Sequence, residues 1–151
     1  MDSRTTLIGA LALTLTVSAC ATAPQTTPQA AAVGQWQSVA KTDLQEAFID
    51  PSTLAIVDGY VEAGTKLNFA QAQPSAKKDK SYLSARNTYR FDCAQRRVAM
   101  KEIRAYEGPD LQGAQVQKAT SSSRNLQWLD APERTVFGEL LDYACKNAPP
   151  G

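Results

Sequence analysis

The sequence predicts an α+β domain, an antiparallel sheet with one terminal helix packed on its apolar face, and three observations predict it. Two runs, Val61 to Phe69 and Tyr82 to Cys93, alternate apolar and polar residues with the period of two of a half-buried strand. The last apolar run, Phe137, Leu140, Leu141 and Ala144, switches to the i, i+3, i+4, i+7 spacing of an amphipathic helix. The second strand run and the helix each end their apolar face at a cysteine, Cys93 and Cys145.

The first segment of the chain precedes the fold. From Thr6 to Ala19 the chain is uncharged and largely apolar, with Arg4 before it and Cys20 directly after. A spanning helix needs about 20 apolar residues and a cleaved signal core only about 7 to 15, so residues 1–19 read as a removable leader. Val17-Ser18-Ala19-Cys20 resembles the bacterial lipobox, in which the cysteine thiol receives diacylglycerol and small residues precede the cut. Cys20 is the expected lipidation site and the membrane the expected first partner, each buried methylene of the acyl chains contributing about 0.8 kcal/mol. Residues 20–34 hold Pro24, Pro28, glutamines, threonines and alanines without a charge, a linker composition that buries no core. Ala21 in place of aspartate after the cysteine points to the outer membrane, with the leaflet left open.

The folded domain is expected over residues 35–147. Trp36 and Val39 open a short strand. Ala47-Phe48-Ile49 forms another and runs into Asp50-Pro51-Ser52, where Asp50 is placed to cap a turn. Leu54 to Val57, then Asp58-Gly59, then Tyr60-Val61 is a hairpin signal, because Asp-Gly tolerates the positive φ of a type I′ turn. In the second arm Val61, Ala63, Thr65, Leu67 and Phe69 share one face, and Glu62, Lys66 and Asn68 the other. Gln71 to Lys80 reads as a polar loop. In the next strand Leu83, Ala85, Asn87, Tyr89, Phe91 and Cys93 face inward, opposed by Tyr82, Ser84, Arg86, Thr88, Arg90 and Asp92. A turn at Gln95-Arg96 leads to a strand from Val98 to Tyr106, ended by Gly108-Pro109-Asp110, and Gln112 to Asn125 is weakly patterned loop with at most a short strand. The helix is expected after Asp130-Ala131-Pro132, with Glu133 against its positive end and Asn147 and Pro149 as its stop. The sheet thus has about six strands.

Composition excludes more than it selects. With 151 residues, part of them leader and tether, the chain holds one core. Lysine plus arginine at 16 nearly balances aspartate plus glutamate at 15, so no overall basic field draws nucleic acid. Histidine is absent, which removes the commonest general base and the commonest metal ligand. A serine or cysteine nucleophile lacks a histidine partner, and paired carboxylates, for instance Asp92 with Glu102 or Asp142, suggest glycan hydrolysis only in principle, with no spacing to single them out. The expectation is therefore a protein that is not an enzyme and takes no cofactor or metal. With Cys20 assigned to lipid, Cys93 and Cys145 remain as an even pair in an exported chain, where oxidising conditions favour a bridge.

The outward face of the Tyr82 to Asp92 strand presents Tyr82, Arg86 and Arg90, and Lys77, Lys78, Lys80, Arg96, Arg97 and Arg104 lie near it in sequence. An ordinary solvated face with edge-protecting lysines gives the same pattern. The functional reading is a patch for an anionic polymer or an acidic protein, with Tyr82, Arg86, Arg90, Arg96 and Arg97 as its candidate residues. Trp36 and Trp128 are expected to pack in the core or dock the helix.

Several of these residues recur in a known order. Trp36 with Val39, the run Phe48-Ile49-Asp50-Pro51-Ser52-Thr53-Leu54, the run from Lys80-Ser81-Tyr82-Leu83-Ser84 to Tyr89-Arg90-Phe91-Asp92-Cys93, and Trp128 before a helix closing on Ala144-Cys145-Lys146 resemble the surface-adhesin protein E family. The resemblance implies a curved sheet with the C-terminal helix tied to its concave side by a disulfide that maps onto Cys93 and Cys145. It also implies attachment to extracellular-matrix and plasma proteins such as vitronectin and laminin, and a capacity to form a homodimer. The matched positions are scaffold residues, so no ligand contact is carried across. The functional expectation is a non-enzymatic, membrane-anchored envelope lipoprotein whose domain binds proteins or polymers. The alternative is a structural or interaction lipoprotein facing the periplasm.

Overall fold

The computed structural model of the chain describes residues 34–150. The leader, the lipidation cysteine Cys20 and the tether up to residue 33 lie outside the described residues.

Eight strands and one helix follow in order: β1 (Gln37–Lys41), β2 (Gln45–Ile49), β3 (Ala55–Val57), β4 (Tyr60–Pro74), β5 (Ser81–Asp92), β6 (Arg97–Tyr106), β7 (Gln115–Thr120), β8 (Trp128–Asp130) and α1 (Val136–Asn147). They make one antiparallel sheet in the order β1-β2-β4-β5-β6-β7. β3 extends the line of β2 along β4, and β8 extends the line of β7 along β6. The class is α+β, as the alternation and the terminal helix predict.

The local chemistry matches the predicted punctuation. Asp58 and Gly59 take φ of 52° and 82°, the left-handed pair a two-residue hairpin turn needs. The Asp50 carboxylate accepts from Ser52 N at 3.1 Å and Ser52 Oγ at 2.6 Å and so caps the single turn Pro51–Thr53.

One face of the sheet is covered by α1. Ala47, Ile49, Val61, Ala63, Leu67, Tyr89, Phe91 and Val98 pack against Val136, Leu140, Leu141 and Ala144, with Phe137 edge-on to Tyr89 at 5.6 Å. Burying leucines such as Leu140 and Leu141 stabilises the fold by about 1.5–3 kcal/mol each. Cys93 and Cys145 are joined, with Cα atoms 5.8 Å apart, and lock the end of α1 to the end of β5. Arg96 reinforces this end by a two-pronged bond to Asp142, with Nη1–Oδ1 at 2.6 Å and Nη2–Oδ2 at 3.2 Å. A second, smaller apolar cluster of Ala85, Ile103, Ala105 and Val116 lies further along the sheet.

The structure departs from the sequence expectation in four places. β4 runs on to Pro74, because Gln73 and Pro74 pair with Tyr82 and Ser81 after a bulge, so the loop shrinks to the segment between Ser75 and Lys80. Residues 115–120 form a full edge strand, supplied with partners by β6 although their own pattern is weak. Trp128 lies in the short strand β8. The helix starts later than Pro132: Arg134 turns at φ 60°, and Thr135 is the cap, its Oγ1 accepting from Gly138 N at 3.0 Å. Gly138 is required here, since a Cβ would stand 2.1 Å from the Pro132 carbonyl oxygen.

Candidate functional site

Among the described residues the other face of the sheet carries no α-helix, and strand register decides what it presents. Phe48 stands opposite Lys66, Lys66 opposite Arg86, Arg86 opposite Arg104 and Arg104 opposite Lys118. Four basic residues thus stand side by side on β4, β5, β6 and β7. Directly opposite residues have Cβ atoms about 4.5–5.5 Å apart, and like charges so placed are destabilising.

Two of the four are answered from within. Lys66, nearly buried, donates to Asp110 Oδ1 at 2.6 Å and lies 4.0 Å from the centre of the Phe48 ring. Asp110 belongs to the loop between β6 and β7, which is folded onto this face. Asn68 Nδ2 donates to its carboxylate at 2.7 Å, its own N–H donates to Asn68 Oδ1 at 3.0 Å, and Leu111 N donates to Ser84 Oγ at 2.9 Å. Asp110 and Leu111 take φ of 50° and 63°, rare for residues with a Cβ, and these bonds hold them there. The bonds from Lys66 and Asn68 also keep the Asp110 carboxyl below its ordinary range. Arg104 is paired with Glu102 on its own strand.

Arg86 and Lys118 are exposed and have no ion-pair partner among the described residues. Beside Arg86 is a cavity of about 150 Å³ lined by Arg86, Asn87, Thr88, Glu102 and Arg104. At the far end the half-buried Trp36 ring lies 5.8 Å from Lys66 Nζ and 5.9 Å from Arg86 Cζ, within the reach of cation–π attraction.

The five residues singled out from the sequence do not form one surface. Arg86 is in the open row. Arg90 is on the same face but nearly buried, donating to Glu62 and, at 3.0 Å, to Asp58 Oδ2; Glu62 in turn receives Lys101. The bond to Glu62 raises the Arg90 guanidinium above its ordinary value. Arg97 is bonded to Asp92 at 2.9 Å, stacks 5.4 Å from the Trp128 ring and holds the Asp92 carboxyl low. Arg96 is in the turn behind α1, where its bond to Asp142 keeps that carboxyl low as well. Tyr82 packs edge-on against Phe69 at 5.6 Å beside the second apolar cluster, and burial raises its hydroxyl pKa.

The carboxylates weighed for glycan hydrolysis are each paired with an arginine: Asp92 with Arg97, Glu102 with Arg104 and Asp142 with Arg96. Among the described residues no group of three cysteines or acids is placed to hold a metal ion. Lys66, Arg104 and Lys118 join Arg86 only through register, which no single strand's alternation reveals.

The described residues form an open antiparallel sheet with its last helix locked by a disulfide to one face and a charged face opposite. The sequence matches the model of the family Surface-adhesin protein E over residues 36–146, and the chain belongs to that family. Membership gives it an adhesin-like role. Among solved structures the fold is similar to Haemophilus influenzae protein E, at 15% identity and a TM-score of 0.52, over 74% of this chain and 84% of that one. A second crystal form of the same protein aligns at 15% identity and a TM-score of 0.49, over 67% and 80%. No curated protein sequence matches the chain.

Proposed function

We propose that the protein is a lipid-anchored envelope lipoprotein, held at the outer membrane through Cys20, whose domain attaches to extracellular or envelope proteins and polymers through the open face of its sheet. The observation that carries this reading is the cross-strand row Lys66, Arg86, Arg104 and Lys118. The helix-covered face already accounts for the packing of the core. A file of like charges does not help the sheet to fold, so its role is sought in recognition of negative charge. The family assignment supports the adhesin class, and the lipobox-like run before Cys20 supports the anchor.

Protease shaving of intact cells, with a periplasmic protein as control, tests the orientation. Loss of the domain while the control survives is the expected result. Protection until the outer membrane is opened would refute surface display and turn the search to periplasmic partners. Mass spectrometry of the mature N-terminus tests the anchor independently, the expected species being an acylated Cys20.

A further inference from the structure

We infer that the ligand of the open face is a linear polysaccharide bearing sulfate or carboxylate groups, lying across the strands along the basic row with its end sugar against Trp36. This rests on the reading of the open face as the binding face and adds the chemistry of what it binds. Neighbouring strands are about 4.8 Å apart, so the row from Lys66 to Lys118 runs roughly 14 Å perpendicular to them. It is only one residue wide. On one side the next line is Asn68, Ser84 and Tyr106, and on the other Gly64, Thr88, Glu102 and Thr120. The flank of Thr88, Glu102 and Thr120 offers hydroxyl and carboxylate groups, the partners sugar hydroxyls require, and no further cation, whereas the Asn68 amide and the Ser84 hydroxyl are already bonded to the loop from Gly108 to Leu111.

Arg86 and Lys118 are the members without a carboxylate partner among the described residues, and two strand spacings separate them, roughly 10 Å. The gap between neighbouring strands is about the length of one sugar in an extended glycan, so anionic groups on alternate sugars meet Arg86 and Lys118 in turn. Asp110 on Lys66 and Glu102 on Arg104 show that this row accepts carboxylates. The cavity beside Arg86 and the indole of Trp36 give one sugar a recess and another a stacking surface. A membrane surface fits less well, because Glu102 and Asp110 stand in or beside the file and would meet its phosphates.

The test uses the purified full mature chain in zwitterionic detergent and measures binding of sulfated dextran oligosaccharide, oligogalacturonate and uncharged dextran oligosaccharide. Binding of either charged glycan, falling steeply with salt, and none of the uncharged one is expected; the two charged probes separate sulfate from carboxylate recognition. Arg86→Glu with Lys118→Glu should lower affinity at least tenfold with the melting temperature kept, and Arg86→Gln with Lys118→Gln covers the case in which charge reversal disturbs folding. Trp36→Ala should weaken the same binding severalfold. Failure of both charged glycans to bind, unchanged affinity in the double variants, or displacement of the glycan by phosphatidylglycerol added to the micelles would overturn the inference. If the double variants lose an acidic protein ligand while no glycan binds, the open face stands as the binding face and only the glycan is refuted. Unchanged capture of every ligand by the double variants would remove both.

Discussion

The two faces of the sheet are written by alternate residues of the same strands, and one adjacent pair of lines shows how differently they are used. Leu67, Ala85 and Ala105 stand opposite one another on the covered face, and one residue earlier on β4 and β6 and one later on β5 stand Lys66, Arg86 and Arg104 on the open face. The apolar line is buried and closes the core. The basic line places like charges at the closest spacing a sheet allows, which opposes folding. A cross-strand line of one residue type is thus a folding device on one face and a candidate recognition device on the other. The fold absorbs the basic line because the covered face supplies the stability.

That division has measurable consequences, and the largest lies at the helix clamp. Cys93 and Cys145 lie 52 positions apart in the chain, so replacing both by serine should lower stability by about 4 kcal/mol in the chain-entropy account. Urea denaturation of the two proteins checks this, and equal midpoints would show that α1 is held by packing alone. Leu140→Ala comes next. The side chain is fully buried between helix and sheet, and its truncation should cost about 3 kcal/mol, read by the same denaturation. Both variants should keep ligand affinity per folded molecule, since neither touches the open face.

A smaller effect separates the faces by pH. Asp142 on the helix side and Asp110 on the open side both have carboxyl groups held below the ordinary value of 3.8, chiefly by Arg96 and by Lys66. A depressed folded value means that each contribution is complete above the unfolded value and disappears as the pH falls through the lower folded one. Stability should therefore be flat at neutral pH and decline only below about pH 4. Asp142→Asn and Asp110→Asn should each flatten part of that decline in melting temperature measured from pH 5 to pH 2, and an unaltered curve would show that neither pair contributes. Only Asp110→Asn should also change ligand binding, because it frees Lys66 for an incoming anion.

Much of the covered face was legible in the sequence because period, turn residues and cysteines all pointed the same way. The Asp58-Gly59 hairpin, the Asp50 cap, the inward file of Tyr89 and Phe91 and the Cys93–Cys145 bridge each follow from a local rule. What was hidden depends on partners distant in the chain. β7 has little pattern of its own and exists because β6 offers it an edge, and the first helical turn waits for Thr135 because the Gly138 backbone packs against Pro132. The open face was legible only in part. Alternation put Arg86 and Arg90 outward together, but register, offset by bulges at Asn68/Gln73 and Thr88/Tyr89, gives Arg90 to Glu62 and Asp58 and gives Arg86 to Lys66 and Arg104 as neighbours. Tyr82 is drawn to Phe69 beyond the first of those bulges.

The sharpest comparison comes from the smallest stability effect, at Arg86. Its side chain has like charges opposite it on both sides, Lys66 on β4 and Arg104 on β6, and no carboxylate of its own among the described residues. Arg86→Gln keeps a long polar side chain and removes both repulsions together with the contact to the Trp36 ring, so folding stability should change by no more than about 1 kcal/mol in either direction. Arg90→Gln, four residues along the same strand and face, should fall by several kcal/mol, because it leaves Glu62 in a nearly buried site with Lys101 as its remaining cation. Calorimetry on the two variants, paired with ligand capture, sorts arginines that build the face from those that use it. A loss of stability at Arg86 as large as that at Arg90 would make the row structural and remove the physical ground for placing recognition there.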